Sequence, residues 1–313
     1  MRRALHPETS SFVRESILEI LNISNLSIAP KNAPSRLLVN NISLSLSAGK
    51  TTCIVGESGS GKSLTALSIM SLLSKQLKAN GNIVFQEQDI SKLNEKSLQK
   101  IRGAKIGMIF QEPMTSLNPV LTVGYQIGES LTAHLGLKSQ ALKDKIAALL
   151  TQVGIPPERA NSYPDELSGG QRQRVMIAMS IACEPVLLIA DEPTTALDVT
   201  VQAQILKLLD ELKTRMNMAM LFITHDFGVV ADIADDVIVM FRGEIVETGS
   251  RSEVLNNPKH PYTKALLGCV PDVEGKKQLK PIDYAWLKNG LKDDKVAAWA
   301  NKIQQTLFYK PII

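Results

Sequence analysis

The sequence predicts an α/β fold with a doubly wound central sheet, and three observations lead to this prediction. Residues Gly56–Ser63 read G-x-x-x-x-G-K-S between a short apolar run and a segment of helical periodicity, which is the context of a phosphate-binding loop. From Leu167 onward, short apolar runs alternate with amphipathic helical segments, as in a doubly wound sheet. Asp191 and Glu192 directly follow a continuous apolar run, and such sheets bind ligands at the carboxyl ends of their strands.

The composition is that of a globular protein and excludes several classes. A chain of 313 residues accommodates one large domain with an appendage, or two modest domains. No stretch approaches the run of about 18 apolar residues that a membrane-spanning helix requires. Residues 1–16 form a polar leader without the apolar core of a signal peptide, so we expect a cytosolic protein. The net charge of +4, without a block of basic residues, argues against nucleic acid as the main partner.

The first part of the chain predicts an antiparallel β layer beside the nucleotide site. Apolar and polar residues alternate over Ile17–Ile28 and Leu37–Leu46, which indicates two strands that each have one solvated face. Further strands are predicted at Ile83–Phe85 and Ile106–Phe110. The polar stretch Asp89–Gln99 between them is predicted to be helical.

An inserted helical subdomain is predicted at about residues 112–165, where prolines punctuate amphipathic segments. Its clearest helix is Gln140–Val153, which places Leu142, Ile146 and Leu149 on one stripe. The α/β pattern then resumes. The predicted elements are the helices Gly170–Ala182, Val199–Met216 and Phe227–Ala234 and the strands Val186–Ala190, Met220–Ile223, Val237–Met240 and Glu244–Glu247.

The phosphate-binding loop predicts that the chain binds a nucleoside triphosphate. Glycines allow this loop to curl and to point successive N–H groups inward, and the following helix N-terminus adds partial positive charge. Lys62 would neutralise the β- and γ-phosphates, and the Ser63 hydroxyl would bind Mg²⁺. The predicted loop contacts are Gly56, Glu57, Ser58, Gly59, Ser60, Gly61, Lys62, Ser63 and Leu64.

Polar residues at the ends of other predicted strands are further candidates. Asp191 is placed to hold the Mg²⁺ shell through water, and Glu192 is placed to polarise the attacking water. Gln111 ends a predicted strand and could reach the metal and the γ-phosphate, although a lone Gln there is more commonly a surface residue. His225 follows another predicted strand, where a single histidine is commonly structural.

A second anion site is predicted at Leu167–Arg174. Ser168 is a good helix N-cap, and Gly169 and Gly170 allow a phosphate to approach exposed N–H groups. One chain needs only one phosphate loop for each ATP. We therefore expect this helix terminus to complete the nucleotide site of a partner chain.

The order of these motifs resembles the nucleotide-binding domain of ABC transporters over roughly residues 17–270. Leu167–Gln171 matches the signature motif of that family and is its most specific element. The resemblance rests on Gly56–Ser63, Gln111, Leu167–Gln171, Leu187–Glu192, Ala196–Asp198 and His225. It implies a P-loop NTPase fold of the ABC type, with an antiparallel β subdomain, an inserted helical subdomain and a C-terminal extension at residues 271–313.

The resemblance also implies roles for these residues. Two such domains would form a head-to-tail sandwich, with each ATP between the phosphate loop of one domain and the signature segment of the other. Glu192 would be the general base, His225 would clamp the γ-phosphate, and Lys62 would stabilise its charge. Ser63, Gln111 and Asp191 would bind Mg²⁺ or hold its water ligands. The implied ATP contacts outside the phosphate loop are Gln111, Ser168, Gly169, Gly170, Gln171 and Asp198, the last of which would communicate across the dimer.

A narrower resemblance points to the peptide/nickel importer branch of the family. It rests on Phe110–Pro119, Ala190–Thr200 and Asn257–Leu267. The branch imports dipeptides, oligopeptides, glutathione, nickel or metal chelates that an extracytoplasmic binding protein delivers. The implied partners are two membrane permease subunits, one of which would dock near Gln111, and a second ATPase subunit. The resemblance favours a related chain over a second copy of this chain as that subunit. The implied location is peripheral, on the cytoplasmic face of the inner membrane.

Two features depart from the branch. An aromatic residue that stacks on adenine is usual near residues 29–30, where this chain has Ala29 and Pro30. Many relatives carry a cysteine-rich tail, whereas only Cys269 lies in that region here, so we expect no iron–sulfur cluster. Trp286 and Trp299 in the extension indicate that part of it packs on its own domain or on a partner.

Other functions fit the sequence less well. A soluble ABC ATPase that acts on nucleic acid or ribosomes usually has two such domains or a long coiled-coil insertion. A small-molecule kinase does not explain Leu167–Gln171, and exporters commonly fuse this domain to membrane helices. The sequence leaves open the transported substrate and the choice between a homodimer and a heterodimer.

Overall fold

The computed structural model describes residues 18–111, 116–195 and 197–269, in which an antiparallel sheet packs against a mainly parallel one. The antiparallel sheet has the strand order β2–β1–β4–β5. Its strands are β1 (Glu19–Pro30), β2 (Val39–Ser47), β4 (Leu77–Phe85) and β5 (Gln88–Asp89). Ile42, Leu44 and Leu46 are buried while the residues between them are exposed, which confirms the predicted layer with one solvated face.

The second sheet has the strand order β10–β9–β3–β8–β7–β6. Its strands are β3 (Thr51–Val55), β6 (Ile106–Ile109), β7 (Leu187–Asp191), β8 (Ala219–Thr224), β9 (Asp236–Phe241) and β10 (Glu244–Ser250). All neighbouring pairs are parallel except β9 and β10. Every residue of β3, β6, β7 and β8 is buried, as expected of parallel strands that are covered on both faces.

The described helices connect these strands and cover the parallel sheet. They are α1 (Lys62–Ile69), α2 (Glu95–Gln99), α3 (Val123–Leu135), α4 (Ser139–Gln152), α5 (Gly169–Ile181), α6 (Val199–Met216), α7 (Phe227–Ile233), α8 (Arg251–Asn256) and α9 (Pro261–Gly268). The two faces of the sheet have different covers. Ile54 packs into the cluster under the antiparallel sheet and α1, whereas Cys53 and Val55 face the cluster formed with the larger helices.

Two predicted elements differ from the structure. The stretch Asp89–Gln99 is not one helix. The side chains of Asp89 and Asn94 each accept a hydrogen bond from a nearby backbone N–H and so begin two separate short elements, a 3-10 turn at Ile90–Lys92 and α2. The strand predicted at Ile83 begins at Leu77, since its first half pairs with β1 through mostly exposed residues that show no regular apolar pattern.

The helical segment contains α3 and α4 within the predicted range 112–165. Its apolar side chains belong to the same buried cluster as the larger helices that cover the parallel sheet. The buried Gln126 side chain accepts a hydrogen bond from the Asn118 N–H at 2.9 Å and donates to the carbonyl groups of Asn118 and Leu121. These three bonds order the chain that leads into α3.

Some of the predictions lie outside the described residues. These are the leader 1–16, the extension 271–313 with Trp286 and Trp299, and residues 112–115 and 196. The division of the chain into domains stays a prediction.

Close packing of β6 on α5 generates a stability prediction. A Cβ atom on Gly107 would lie 2.2 Å from the carbonyl oxygen of Ser180, so the backbone of the strand or that of the helix would have to shift. We expect Gly107→Ala to lower the free energy of unfolding by about 1–3 kcal/mol, measured by chemical denaturation. The control is Gly268→Ala, whose added Cβ meets no heavy atom within 4 Å. Equal stability of the two variants would contradict this account.

Candidate nucleotide site

The phosphate-binding loop lies between the buried strand β3 and the first turn of α1. Gly56 is required by space, because a Cβ atom there would lie 2.1 Å from the carbonyl oxygen of Met240 in β9. Gly61 is required by conformation, since its φ of 102° lies in the left-handed region that other residues rarely adopt. The loop is therefore held against β9 and turns directly into the helix N-terminus.

Lys62 reaches back over this loop. Its Nζ donates hydrogen bonds to the carbonyl oxygens of Gly56 at 2.7 Å and Glu57 at 2.9 Å. Only 4% of the residue is exposed, and this burial lowers the pKa of Lys62, whereas the negative charges of Glu192 and Asp191 raise it. A cation with little solvent and nearby carboxylates is suited to bind phosphate oxygens.

Ser63 and Asp191 form a pair of oxygen donors beside the lysine. The Ser63 Oγ donates a hydrogen bond to the Asp191 Oδ1 at 3.0 Å. Asp191 is 5% exposed, and burial raises its pKa, with the hydrogen bond from Ser63 acting in the opposite direction. A hydroxyl and a buried carboxylate are a donor set that suits Mg²⁺, which binds few protein oxygens and completes its shell with water and phosphate.

Glu192 is the point at which side chains from three segments meet. Its Oε2 accepts hydrogen bonds from Thr195 Oγ1 at 2.9 Å and Gln111 Nε2 at 3.3 Å, and lies 3.3 Å from His225 Nδ1. The Glu192 side chain is 12% exposed and that of His225 is 60% exposed. Glu192 also has a φ of 48°, a conformation that is uncommon outside glycine and that clusters at functional sites.

The sheet register explains why these residues meet. Val55 pairs with Thr224, Asp191 with Ile223 and Ile109 with Ala190, so the chain leaves four parallel strands at the same edge. A cavity of about 440 Å³ opens at this edge. It is lined by Gly56, Glu57, Ser58, Gln111, Glu192, His225, Phe227 and Leu266.

Sequence reasoning missed four contributors to this region. Phe227 and Leu266 line the cavity, Thr195 orients Glu192, and Tyr262 accepts a hydrogen bond from the Glu57 N–H. Leu266 and Tyr262 belong to Asn257–Leu267, a segment that the sequence offered only as a mark of one importer branch. Because this segment lies about 200 residues after the phosphate loop in the sequence, no local pattern indicated that the two are in contact.

The signature segment lies elsewhere on the molecule. Ser168 caps α5 through a reciprocal pair of hydrogen bonds with Gln171, and Asp198 caps α6 by accepting from the Val201 N–H at 2.9 Å. Ser168 and Gly169 are exposed, and Gly170 packs against Val201. Among the described residues that line the cavity, none comes from this segment or from Asp198. Within the described residues, the cavity beside the phosphate loop and the exposed N-terminus of α5 are therefore separate.

Taken together, the fold and these sites define a P-loop ATPase of the ATP-binding-cassette type. Residues 39–195 match the ABC transporter family, and residues 246–286 match the C-terminal region of oligopeptide/dipeptide transporters. The chain therefore belongs to the ABC transporter family, and the predicted family and fold class are confirmed.

Curated relatives support the same assignment. The chain is 47% identical over 272 residues to the dipeptide transport ATP-binding protein DppD of Bacillus subtilis, covering 85% of this chain and 81% of that one. It is 50% identical over 266 residues to the glutathione import ATP-binding protein GsiA of Salmonella typhimurium, covering 82% of this chain. The chain spans only 42% of the length of GsiA. These names favour a transporter ATPase over one that acts on nucleic acid or ribosomes.

Solved structures show the same fold. The Clostridium perfringens protein cbiO1, described as part of an ABC transporter complex, has a TM-score of 0.67 at 28% identity, covering 76% of this chain and 91% of that one. The cassette MJ0796, solved as a dimer bound to ADP and Pi, also has a TM-score of 0.67 at 28% identity, covering 74% and 99%. ATP is therefore the nucleotide that this class binds.

No helix in the described part of this chain has the length and apolar character needed to cross a membrane.

Proposed function

We propose that this chain is the ATP-hydrolysing subunit of an importer for peptides or a related small solute. The class of solute comprises dipeptides, oligopeptides, glutathione, nickel and metal chelates. The observation that carries the hydrolytic role is the convergence of Gln111, Thr195 and His225 on one oxygen of Glu192, beside the phosphate loop. The match of residues 246–286 and the names of the relatives support the class of solute.

Glu192 is assigned as the general base. A water between Glu192 and the γ-phosphate gives up its proton to the carboxylate as its oxygen attacks phosphorus in line with the leaving oxygen. The bond from the γ-phosphorus to the bridging oxygen breaks, and ADP and inorganic phosphate result. Gln111, Thr195 and His225 hold the carboxylate in place, and His225 is exposed enough to contact the γ-phosphate as well.

Lys62 and the loop N–H groups stabilise the charge that develops on the phosphate oxygens. Ser63, Asp191 and Gln111 would hold Mg²⁺, which supplies further neutralisation of that charge. On this assignment Lys62, Glu192 and His225 are the catalytic residues. The phosphate loop, from Gly56 to Leu64, is the main ATP contact of this chain.

A second ATPase chain completes the site in this proposal. The exposed N-terminus of α5 at Ser168 and Gly169 lies apart from the cavity of its own chain and is open to a ligand held by another. Asp198 at the start of α6 would communicate the state of one nucleotide site to the other across the interface between the two chains. Two permease subunits and an extracytoplasmic binding protein complete the assembly, with this chain peripheral on the cytoplasmic face of the membrane and the second ATPase a related chain.

Replacing the general base tests the mechanism. Glu192→Gln preserves the shape of the side chain and an oxygen acceptor but cannot take a proton. We expect ATP turnover by the assembled transporter to fall by about 10²–10⁴-fold while ATP binding is retained. The control is Glu211→Gln on the exposed face of α6, which should keep normal turnover. Normal hydrolysis by Glu192→Gln would remove Glu192 from the base role.

The signature segment can be tested separately from ATP binding. A Cβ atom on Gly169 meets no heavy atom within 4 Å, so Gly169→Asp is expected to fold normally while it repels phosphate. We expect the isolated chain to bind ATP with unchanged affinity and the assembled complex to lose about half of its turnover or more. Titration calorimetry and a phosphate-release assay measure the two effects. Weakened ATP binding by the isolated chain would place the segment in the site of its own chain.

Affinity purification of a tagged chain from native membranes tests the transporter role. We expect two multi-span permease subunits and a second ATPase to be recovered, because the relatives of this chain are named as ATP-binding proteins of transporters. Mass spectrometry identifies the recovered proteins, and an accompanying solute-binding protein narrows the substrate. Recovery with ribosomes or nucleic acid, and without membrane proteins, would contradict the proposal.

A further inference from the structure

A hydrogen bond ties the phosphate loop to α9, the last helix of the described residues. The backbone N–H of Glu57 donates to the hydroxyl oxygen of Tyr262 at 3.1 Å. Tyr262 is completely buried, and its ring packs against Phe241 with centroids 4.2 Å apart. Phe241 directly follows Met240, whose carbonyl oxygen limits the space at Gly56. The tyrosine therefore contacts the loop and the strand that supports it.

The position of Tyr262 is itself fixed by polar contacts. Its backbone N–H donates to the His260 Nδ1 at 3.1 Å, which caps the first turn of α9. Burial lowers the pKa of His260, and the neutral imidazole is the form that can accept at this nitrogen. Glu247 of β10 accepts hydrogen bonds from the N–H groups of Lys259 and His260 at 2.6 and 3.0 Å. The turn before α9 is thus anchored to the sheet.

Glu57 is held from both sides. Its N–H is engaged by Tyr262, and its carbonyl oxygen accepts from the Nζ of Lys62 at 2.9 Å. Leu266 lies one helical turn after Tyr262 on the same face of α9 and lines the nucleotide cavity. One face of α9 therefore supplies a wall of the cavity and a restraint on the second residue of the loop.

We propose that Tyr262 is a positioning residue for nucleotide binding. It holds the beginning of the phosphate loop in the conformation that binds phosphate and acts through Glu57, without contact to ATP. The inference deepens the ATP-binding step of the proposed function and is independent of the transported solute. A loop that spends less time in the phosphate-binding conformation has a lower apparent affinity for nucleotide. Loss of the Tyr262 hydroxyl must therefore weaken nucleotide binding.

The test compares two hydroxyl deletions at adjacent positions. Tyr262→Phe retains the ring and its packing on Phe241 but removes the acceptor for the Glu57 N–H. Thr263→Val removes a hydroxyl that is also fully buried and that has no hydrogen-bond partner among the described residues. We expect Tyr262→Phe to bind Mg·ADP about three- to tenfold more weakly by titration calorimetry, and Thr263→Val to bind with wild-type affinity.

Hydrogen–deuterium exchange supplies a readout of the contact itself. We expect the Glu57 amide of the full wild-type chain to be protected in the absence of nucleotide and to exchange faster in Tyr262→Phe, while Thr263→Val leaves it unchanged. Thermal unfolding of each variant reports whether the fold is retained. The wild-type exchange measurement applies even if Tyr262→Phe does not fold.

Three results would overturn the inference. The first is wild-type affinity for Mg·ADP in folded Tyr262→Phe, and the second is an equal loss of affinity in both variants, which would assign the effect to helix packing. The third is a Glu57 amide that exchanges without protection in the wild-type chain. Failure of the wild-type chain to bind Mg·ADP at all would instead contradict the proposed function.

Discussion

The parallel pairing of β6, β7, β8 and β3 is the constraint on which the site depends. Because paired parallel strands end at one edge, the residues that follow them meet there, although they are as far apart in sequence as Gly56 and His225. The strands are buried on both faces and cannot shift by one residue without reversing which side chains face each layer. The sheet therefore fixes the relative positions of the site residues more closely than loops alone would, and the loops at its edge carry the side chains that form the candidate site.

Opposite charges meet at this edge of the sheet in a partly buried space. Lys62 lies near Asp191 and Glu192 and offsets part of the desolvation cost of both carboxylates, whereas the negative charge of Glu192 disfavours ionisation of Asp191. Burial nevertheless moves the pKa of Lys62 down and that of Asp191 up, so desolvation outweighs the attraction between these charges. Phosphate and a divalent cation would supply further charges. An arrangement of this kind is suited to bind a ligand and contributes little to the stability of the empty protein.

Much of the fold and of the site followed from local patterns. The helix Val199–Met216 agrees with its prediction at both ends, since Asp198 is a strong N-cap and the apolar stripe is regular. The side chains of Gln111 and His225 carry little local information, and only the order of the motifs assigned them to the site. The strand that begins at Leu77 was predicted too short because its early residues are mostly exposed and show no regular apolar pattern, and the pairing with β1 decides their conformation.

By itself, the sequence determined the class of protein, the phosphate loop, the acidic pair and the separate signature helix. Each is encoded by residues that are close together and whose chemistry requires a particular spacing. Only the tertiary structure decided that Thr195 orients Glu192, that Leu266 lines the cavity and that Tyr262 contacts the phosphate loop. The last two contacts join residues about 200 positions apart, as the separation of Glu57 and Tyr262 by 205 residues illustrates. No local pattern specifies such a contact, because it arises from the packing of α9 against β9 and the loop.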